Sequence, residues 1–383
     1  MRPALLLIGH TYAALENRKK IQALARHFDL VCVTSTLEDR VILGRRATDF
    51  DNDSDEAFRG YQLVRLRRSG TNETTFRYAG LADVMRSRRF DVVLVENEPW
   101  AVVRWQARFW KSLVQPQALF GEFTWENVER PGWKGCALAP IYRAMTATTD
   151  FIIAGNQAAA QLVQKRGAKA DAVCVSPQLG VDLSNHQPAS GEERDALRKA
   201  SGLPSGAFVV GYCGRLVEEK GIKELVEACG EVGTVHLALL GSGALEPWLR
   251  EQAKSRPWIH LLPPRPHGEI PAFLRCLDVF VLASKPVRTS QLCWEEQFGH
   301  VLIEAMACGV ATLGSSSGAI PEVVGDEAAV FPFGDAKALA ARLREAMHDP
   351  ALADRQLQRT RAWYTHDAVA AQWAGFIQQR LAA

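Results

Sequence analysis

"FVVGYCGRL" (Phe208–Leu216) is a short apolar run that ends in a glycine and a cation, the form of a buried strand entering a tight loop. What precedes it, "PQLGVDLSNHQPASGEERDALRKASGLPSGA" (177–207), is rich in Pro, Gly, Ser and charge, as a linker is. Beyond it the pattern alternates: "GIKELVEACGEV" reads as helix, "VHLALLGSG" as strand and loop, "IHLLPP" as strand, "EIPAFLRCLDVFVLAS" as helix into strand and "VATLGSS" as strand. The same alternation fills the first half, with strands in "ALLLIG" (4–9), "LVCVTS" (30–35), "YQLVRLR" (61–67) and "FDVVLVEN" (90–97), continued by "ALFGEFT" and "DFIIAGN". Strands apolar on both faces and separated by helices imply parallel sheets covered on both sides. The reading is α/β, two doubly wound domains in tandem: 1–182, 183–360, and a terminal helix in 361–383 that packs back on the first domain. Such sheets bind ligands outside the carboxyl ends of their strands, and two facing domains would place the site in the cleft between them.

Composition agrees. A chain of 383 residues exceeds what one core usually serves, and 47% hydrophobic with 23% charged residues is ordinary for a globular protein. A formal net charge of +2 argues against a nucleic-acid binder. Residues 1–182 carry 25 Lys/Arg against 20 Asp/Glu, a mild excess that suits an anionic partner. The eight cysteines form no C-x-x-C pair and sit in apolar contexts, which reads as buried thiols in a reducing compartment. "MRPALLLIGHTY" is too short an apolar run for a signal peptide, and nothing reaches the ~18 apolar residues of a membrane span. The expected location is cytoplasmic.

"WEEQFGHVLIEAMACG" (Trp294–Gly309) carries the chemistry. Glycine is a poor helix-interior residue, so the helix is expected to start near Gly299, with Glu296 on the loop before it and Glu304 about a turn and a half inside. Backbone N–H groups at such a start bind anions. Two carboxylates and an anion nest suit a ligand with sugar hydroxyls and a phosphate.

The second half resembles the retaining glycosyltransferases of family 4 (glycosyl transferases group 1), which have the GT-B fold of two facing Rossmann-like domains. The resemblance rests on "LGVDL" (179–183), "GYCGRLVEEKGIKELVEA" (211–228), "LLGSGALEPWL" (239–249), "EEQFGHVLIEAMACG" (295–309) and "SSGAIPEVVG" (316–325), in that order. It is close over 179–350; the first half matches only in layout. It implies transfer of a hexosyl group from a UDP- or GDP-sugar to an acceptor hydroxyl with the anomeric configuration kept, no cofactor and no metal. Glu296 would hold hydroxyls of the transferred sugar beside the backbone of Phe298 and Gly299, and Glu304 would accept the ribose hydroxyls. Arg215 and Lys220, after Gly214, would stabilise the diphosphate as its charge grows. Arg265, in "LLPPRPHGEI", lies in the base-recognition region, beside the base or simply in a loop. "GSG" (241–243) lacks the third glycine of a dinucleotide loop and reads rather as a tight turn.

The first domain is less explicit. Gly9 and His10 follow the first strand where the family has a glycine pair, so His10 either orients an acceptor hydroxyl or is a plain loop histidine. Arg18, Lys19 and Lys20 read as a solvated face, with phosphate contact the alternative. Glu126 and Asn127, in "FTWENV", face the donor sugar in this reading, although the family often has a histidine there. "DNDSD" (51–55) spaces its acids like a metal loop but lacks the closing glutamate, so a solvated loop is expected. In "WAVVRWQARFWKSLV" (100–114), Val102, Trp105, Phe109 and Trp110 form either a core face or, with Arg and Lys, a contact with an anionic membrane. The acceptor is a glycan, lipid-linked or a small molecule, as in cell-surface polysaccharide or glycolipid synthesis. An epimerase on the same scaffold and a non-catalytic nucleotide-binding protein remain alternatives.

Overall fold

The computed structural model describes residues 2–36, 41–42, 45–46, 60–70, 72, 74–289 and 293–383; the acidic stretch 51–55 lies outside them. The chain divides into two units, Met1–Gly180 with His366–Ala383, and Val181–Thr365. In the first, seven strands form one parallel sheet: β1 (Ala4–Ile8), β2 (Asp29–Ser35), β3 (Tyr61–Leu66), β4 (Val92–Glu96), β5 (Leu119–Thr124), β6 (Phe151–Ala154) and β7 (Val173–Val175). In the second, six do the same: β8 (Phe208–Cys213), β9 (Val235–Leu240), β10 (Ile259–Leu262), β11 (Val279–Leu282), β12 (Ala311–Ser315) and β13 (Val330–Phe331). The orders are 7-6-5-4-1-2-3 and 10-9-8-11-12-13. Both are the doubly wound order, which reverses direction beside the first strand of the unit and opens a crevice at the carboxyl ends there.

Two-sided burial is explicit in β1. Leu5 and Leu7 join one apolar cluster, Leu6 and Ile8 the other, and all four are buried. Helices cover each face: α1 (Arg18–Leu24), α2 (Val102–Val114), α3 (Gly132–Thr148) and α4 (Gln157–Lys165) in the first unit, α5 (His300–Ala307) and α6 (Ala351–Trp363) in the second, and α7 (His366–Ala382), which returns to the first. Val369, Ala370, Trp373, Ala374 and Ile377 share one stripe of α7 at helical spacing and join Leu5, Leu24 and Phe123 in the core of the first unit. Trp373 stacks on Phe123 with ring centroids 5.5 Å apart. Residues 361–365 stay with the second unit, where Val181 N–H donates to Tyr364 O (2.7 Å).

Three expectations need correction. Arg18 and Lys20 are fully buried rather than solvated. Lys20 Nζ pairs with Glu96 (3.0 Å) over the Trp373 ring, and Arg18 donates to the carbonyls of Tyr12 and Ala13. In α2 the buried positions are Val103, Arg104, Ala107 and Lys111, while Phe109 is 56% exposed. The helix turns that way because Glu122 on β5 is buried beneath it and takes Arg104 Nε at 2.9 Å. Finally, not every thiol is buried: all eight cysteines are free, and Cys136 on α3 is exposed. No helix among the described residues is long and apolar enough to cross a membrane.

Candidate functional site

The loops at the carboxyl ends of β8, β11 and β12 pack on one another through glycines. A side chain at Gly221 would meet Ala283 O at 2.0 Å, and one at Gly318 would meet Glu296 O at 2.1 Å. Both have positive φ, so glycine is required twice over. The "GSG" turn is of the same kind: a Cβ on Gly241 would lie 1.9 Å from Gly214 O. It buttresses the loop after β8.

These contacts bring Lys220, from the loop after β8, to Ser284 and Glu296, both in the connection from β11 to α5. Lys220 Nζ donates to Glu296 Oε2 at 2.5 Å, and Ser284 Oγ donates to the same oxygen at 2.7 Å. Both members of the ion pair are largely buried, and the Lys220 ammonium lies 4.8 Å from the Trp294 ring centroid. Gly299 is the left-handed N-cap of α5, so the helix begins at His300. Phe298 turns its ring into the protein against Tyr364, leaving the backbone of 298–300 at the helix start.

Glu304 lies buried on α5 and receives two histidines, His267 Nε2 at 3.0 Å and His300 Nδ1 at 3.2 Å. Burial works against its charge, but hydrogen bonds and positive charge from both imidazoles hold the carboxyl well below the usual carboxylate range. His186 is near enough to feel this charge; its own pKa is lowered by burial, which the Glu304 carboxylate partly opposes. His267, the decisive neighbour, stands in the stretch quoted for Arg265, yet nothing local in the sequence marks it. Arg265 itself reaches Ser201 Oγ at 3.4 Å. Arg215 is also outside the cluster, its side chain 66% exposed and paired with Glu219. Gly214 has φ +150°, and a Cβ there would meet the Tyr212 hydroxyl at 2.7 Å.

In the first unit, Gly9 is packed: a Cβ would lie 2.8 Å from the Tyr12 ring and 3.2 Å from Glu96 Oε2. Glu96 ends β4 and gathers Tyr12 Oη (2.6 Å), Lys20 Nζ (3.0 Å) and Gln178 Nε2 (2.8 Å). His10 is buried edge-on to Phe76, and desolvation, with Arg68 nearby, lowers its pKa to about 4. It is a neutral core histidine at pH 7. Glu126 does not stand open to a sugar. It is buried, accepts from the Tyr142 hydroxyl (2.6 Å), and pairs with Arg166 and, at 3.5 Å, Arg130. Asn127 follows it on the same loop, at the carboxyl end of β5. Glu98, half-buried after β4, was not marked by the sequence. Desolvation, together with Glu126 and Glu122, raises its pKa to about 7 against the hydrogen bonds from Thr124 and Trp125. Among the described residues no group of three or more His, Cys, Asp and Glu is placed to hold a metal.

Comparison with known proteins adds the following. Residues 193–363 match the family of glycosyl transferases group 1. The GDP-mannose-dependent monoacylated alpha-(1-6)-phosphatidylinositol monomannoside mannosyltransferase of Corynebacterium glutamicum is 31% identical over 178 residues, 45% of this chain and 46% of that protein. The D-inositol 3-phosphate glycosyltransferase of Pseudarthrobacter chlorophenolicus is 29% identical over 194 residues, 48% of this chain and 43% of that protein. The chain spans about half the length of the curated relatives it matches. The crystal structure of Anabaena HepE in complex with UDP has 16% identity but superimposes with a TM-score of 0.70 over 98% of this chain and 100% of that one. The chain thus has the GT-B fold of two parallel-sheet Rossmann-like units, and the stretch that matches the group 1 glycosyl transferases lies within its second unit.

Proposed function

We propose that the protein is a retaining hexosyltransferase that takes a sugar from a UDP- or GDP-sugar and places it on an acceptor hydroxyl, in the making of a cell-surface polysaccharide or glycolipid. The observation that carries this is the pair of buried glutamates in the second unit: Glu296 held by Lys220 and Ser284, and Glu304 held by His267 and His300. Carboxylate oxygens accept hydrogen bonds from sugar hydroxyls. Glu304 takes the ribose hydroxyls and Glu296 those of the transferred sugar. Lys220 and Arg215 meet the diphosphate, Gly214 and the backbone of Phe298 and Gly299 give it close approach, and Arg265 lies towards the base.

As the bond from the anomeric carbon to the diphosphate oxygen breaks, the acceptor oxygen bonds to that carbon on the same face. Its proton passes to the departing phosphate, and the cations stabilise the charge that develops. Two relatives support a phosphate-bearing acceptor by their names, since one acts on a phosphatidylinositol mannoside and the other on inositol 3-phosphate. The proposed setting is the cytoplasm, where eight free thiols stay reduced.

Thermal unfolding of the full chain with UDP, GDP and their sugars tests the reading. One nucleotide series should raise the midpoint in proportion to the logarithm of its concentration. If neither series does, the donor site is wrongly assigned. With an active donor, NMR of the product should show the donor's anomeric configuration. Sugar isomerisation without acceptor would point to an epimerase instead.

A further inference from the structure

The first unit contains a cavity of about 420 Å³ between the loop that follows β5, α3 and the end of α4. Four cations line it, Arg130, Arg143, Lys165 and Arg166, together with Tyr142 and Cys136. Two carboxylates answer them: Glu129, also in the lining, pairs with Lys165 at 2.8 Å, and Glu126, behind it, pairs with Arg166 and Arg130. Among the described side chains, cations therefore exceed carboxylates four to two.

The arrangement is built rather than accidental. The Arg166 guanidinium lies 3.4 Å from the Tyr142 ring centroid and that of Arg130 lies 4.0 Å from the Trp100 ring centroid, so an aromatic face and the Glu126 carboxylate hold each in place. Gly135 lets the loop close on α3, since a Cβ there would meet Arg130 O at 2.3 Å. The first turn of α3 holds no acidic residue and opens on the same cavity.

We infer that this cavity binds the phosphate group of the acceptor. Planar guanidiniums held by aromatic faces recognise phosphate oxygens through paired N–H donors, and Arg143 and Lys165 add charge at the mouth. The inference rests on the transferase reading for the word acceptor; the anion site itself does not. It also moves the anionic contact away from α2, whose Arg104 and Lys111 are buried.

Cys136 provides a direct readout, because it lines the cavity and is the exposed thiol among the eight. The full chain is alkylated with the neutral reagent iodoacetamide, and modification of Cys136 is followed by peptide mass spectrometry. Inorganic pyrophosphate, phosphatidylglycerol vesicles and phosphatidylcholine vesicles are added in separate arms. Pyrophosphate at ten times its dissociation constant should slow the labelling about tenfold, since the rate follows the unliganded fraction. The double substitution Arg143→Ser with Lys165→Ser, at exposed positions, should remove the protection. Protection by phosphatidylglycerol vesicles alone identifies a lipid headgroup, and protection by pyrophosphate as well identifies the phosphate group from either source. An unchanged rate with both anions overturns the inference. So does equal protection by phosphatidylcholine, or protection that survives the double substitution. Nucleotide binding is read separately by thermal stabilisation. A chain that ignores nucleotides but still shields Cys136 keeps the anion site and loses the transferase reading.

Discussion

Glu304 shows how much a single residue's setting decides. A carboxylate inside a helix is ordinarily a surface group, but here two imidazoles converge on one buried oxygen, Oε1. Replacing Glu304 by Ala should weaken binding of the nucleoside diphosphate by roughly 1.5–3 kcal/mol, the range for hydrogen bonds to a charged group. Calorimetry with the nucleotide alone measures this, and an unchanged affinity would remove Glu304 from the ribose site. Glu98 offers a pH-dependent counterpart. Its pKa in the fold, about 7, lies above the ordinary 4.5. A carboxyl raised in this way contributes stability that is fully present below its unfolded value and is lost as pH rises through 7. Glu98→Gln should therefore gain on the native protein between pH 5 and pH 9, by up to about 3 kcal/mol. Urea unfolding at the two pH values checks it; a pH-independent difference would mean that Glu98 ionises normally.

At the scale of the element, α2 is instructive because its charge pattern misleads. A helix with Trp, Phe, Arg and Lys reads either as a core face of Val102, Trp105, Phe109 and Trp110 or as a contact with an anionic membrane. In the fold, Arg104 goes inward and donates to Glu122, Thr148 and Thr149, while Phe109 and Leu113 face solvent. The helix is thus docked by a buried ion pair as well as by Val103 and Ala107. Removing one partner leaves the other charged and dry, so Arg104→Ala should cost about 3–5 kcal/mol of stability. Chemical denaturation would show this, and a cost below about 1 kcal/mol, the surface-pair range, would mean that water reaches the pair. Reading the helix correctly from sequence would have required knowing that Glu122 lies beneath it. β5 reads only as "ALFGEFT", in which the glutamate looks like a strand's solvent position.

At the scale of the molecule, the chain leaves its first unit at residue 180 and returns to it at residue 366. The return is anchored by Trp373, which stacks on Phe123, donates its indole N–H to Pro177 O and carries the Lys20 ammonium on its face. Trp373→Ala should destabilise the first unit by about 3–5 kcal/mol through the cavity it leaves. Scanning calorimetry with and without the nucleotide would show an earlier transition for this unit, while the transition that the nucleotide stabilises stays in place. A joint shift of both would show that the units unfold as one.

Much of this was legible in the chain itself. Strands buried on both faces are continuous apolar runs, and "FVVGYCGRL" after a polar linker marks where the second sheet begins, because backbone periodicity and turn residues are local properties. The glycine that starts α5 and the two glutamates around it are legible for the same reason. The partners of those glutamates are not. His267 lies 37 positions from Glu304 and Lys220 lies 76 from Glu296. Arg18, Lys20 and Arg104 look like solvated cations until Glu96, Glu122 and the carbonyls near Tyr12 are placed beside them. Charge burial depends on which groups the sheet order brings together, and that order is set by packing across the whole unit rather than by any neighbouring residue. Local periodicity determined the elements and their sequence along the chain; only the tertiary structure decided which of the charged side chains would be buried and paired.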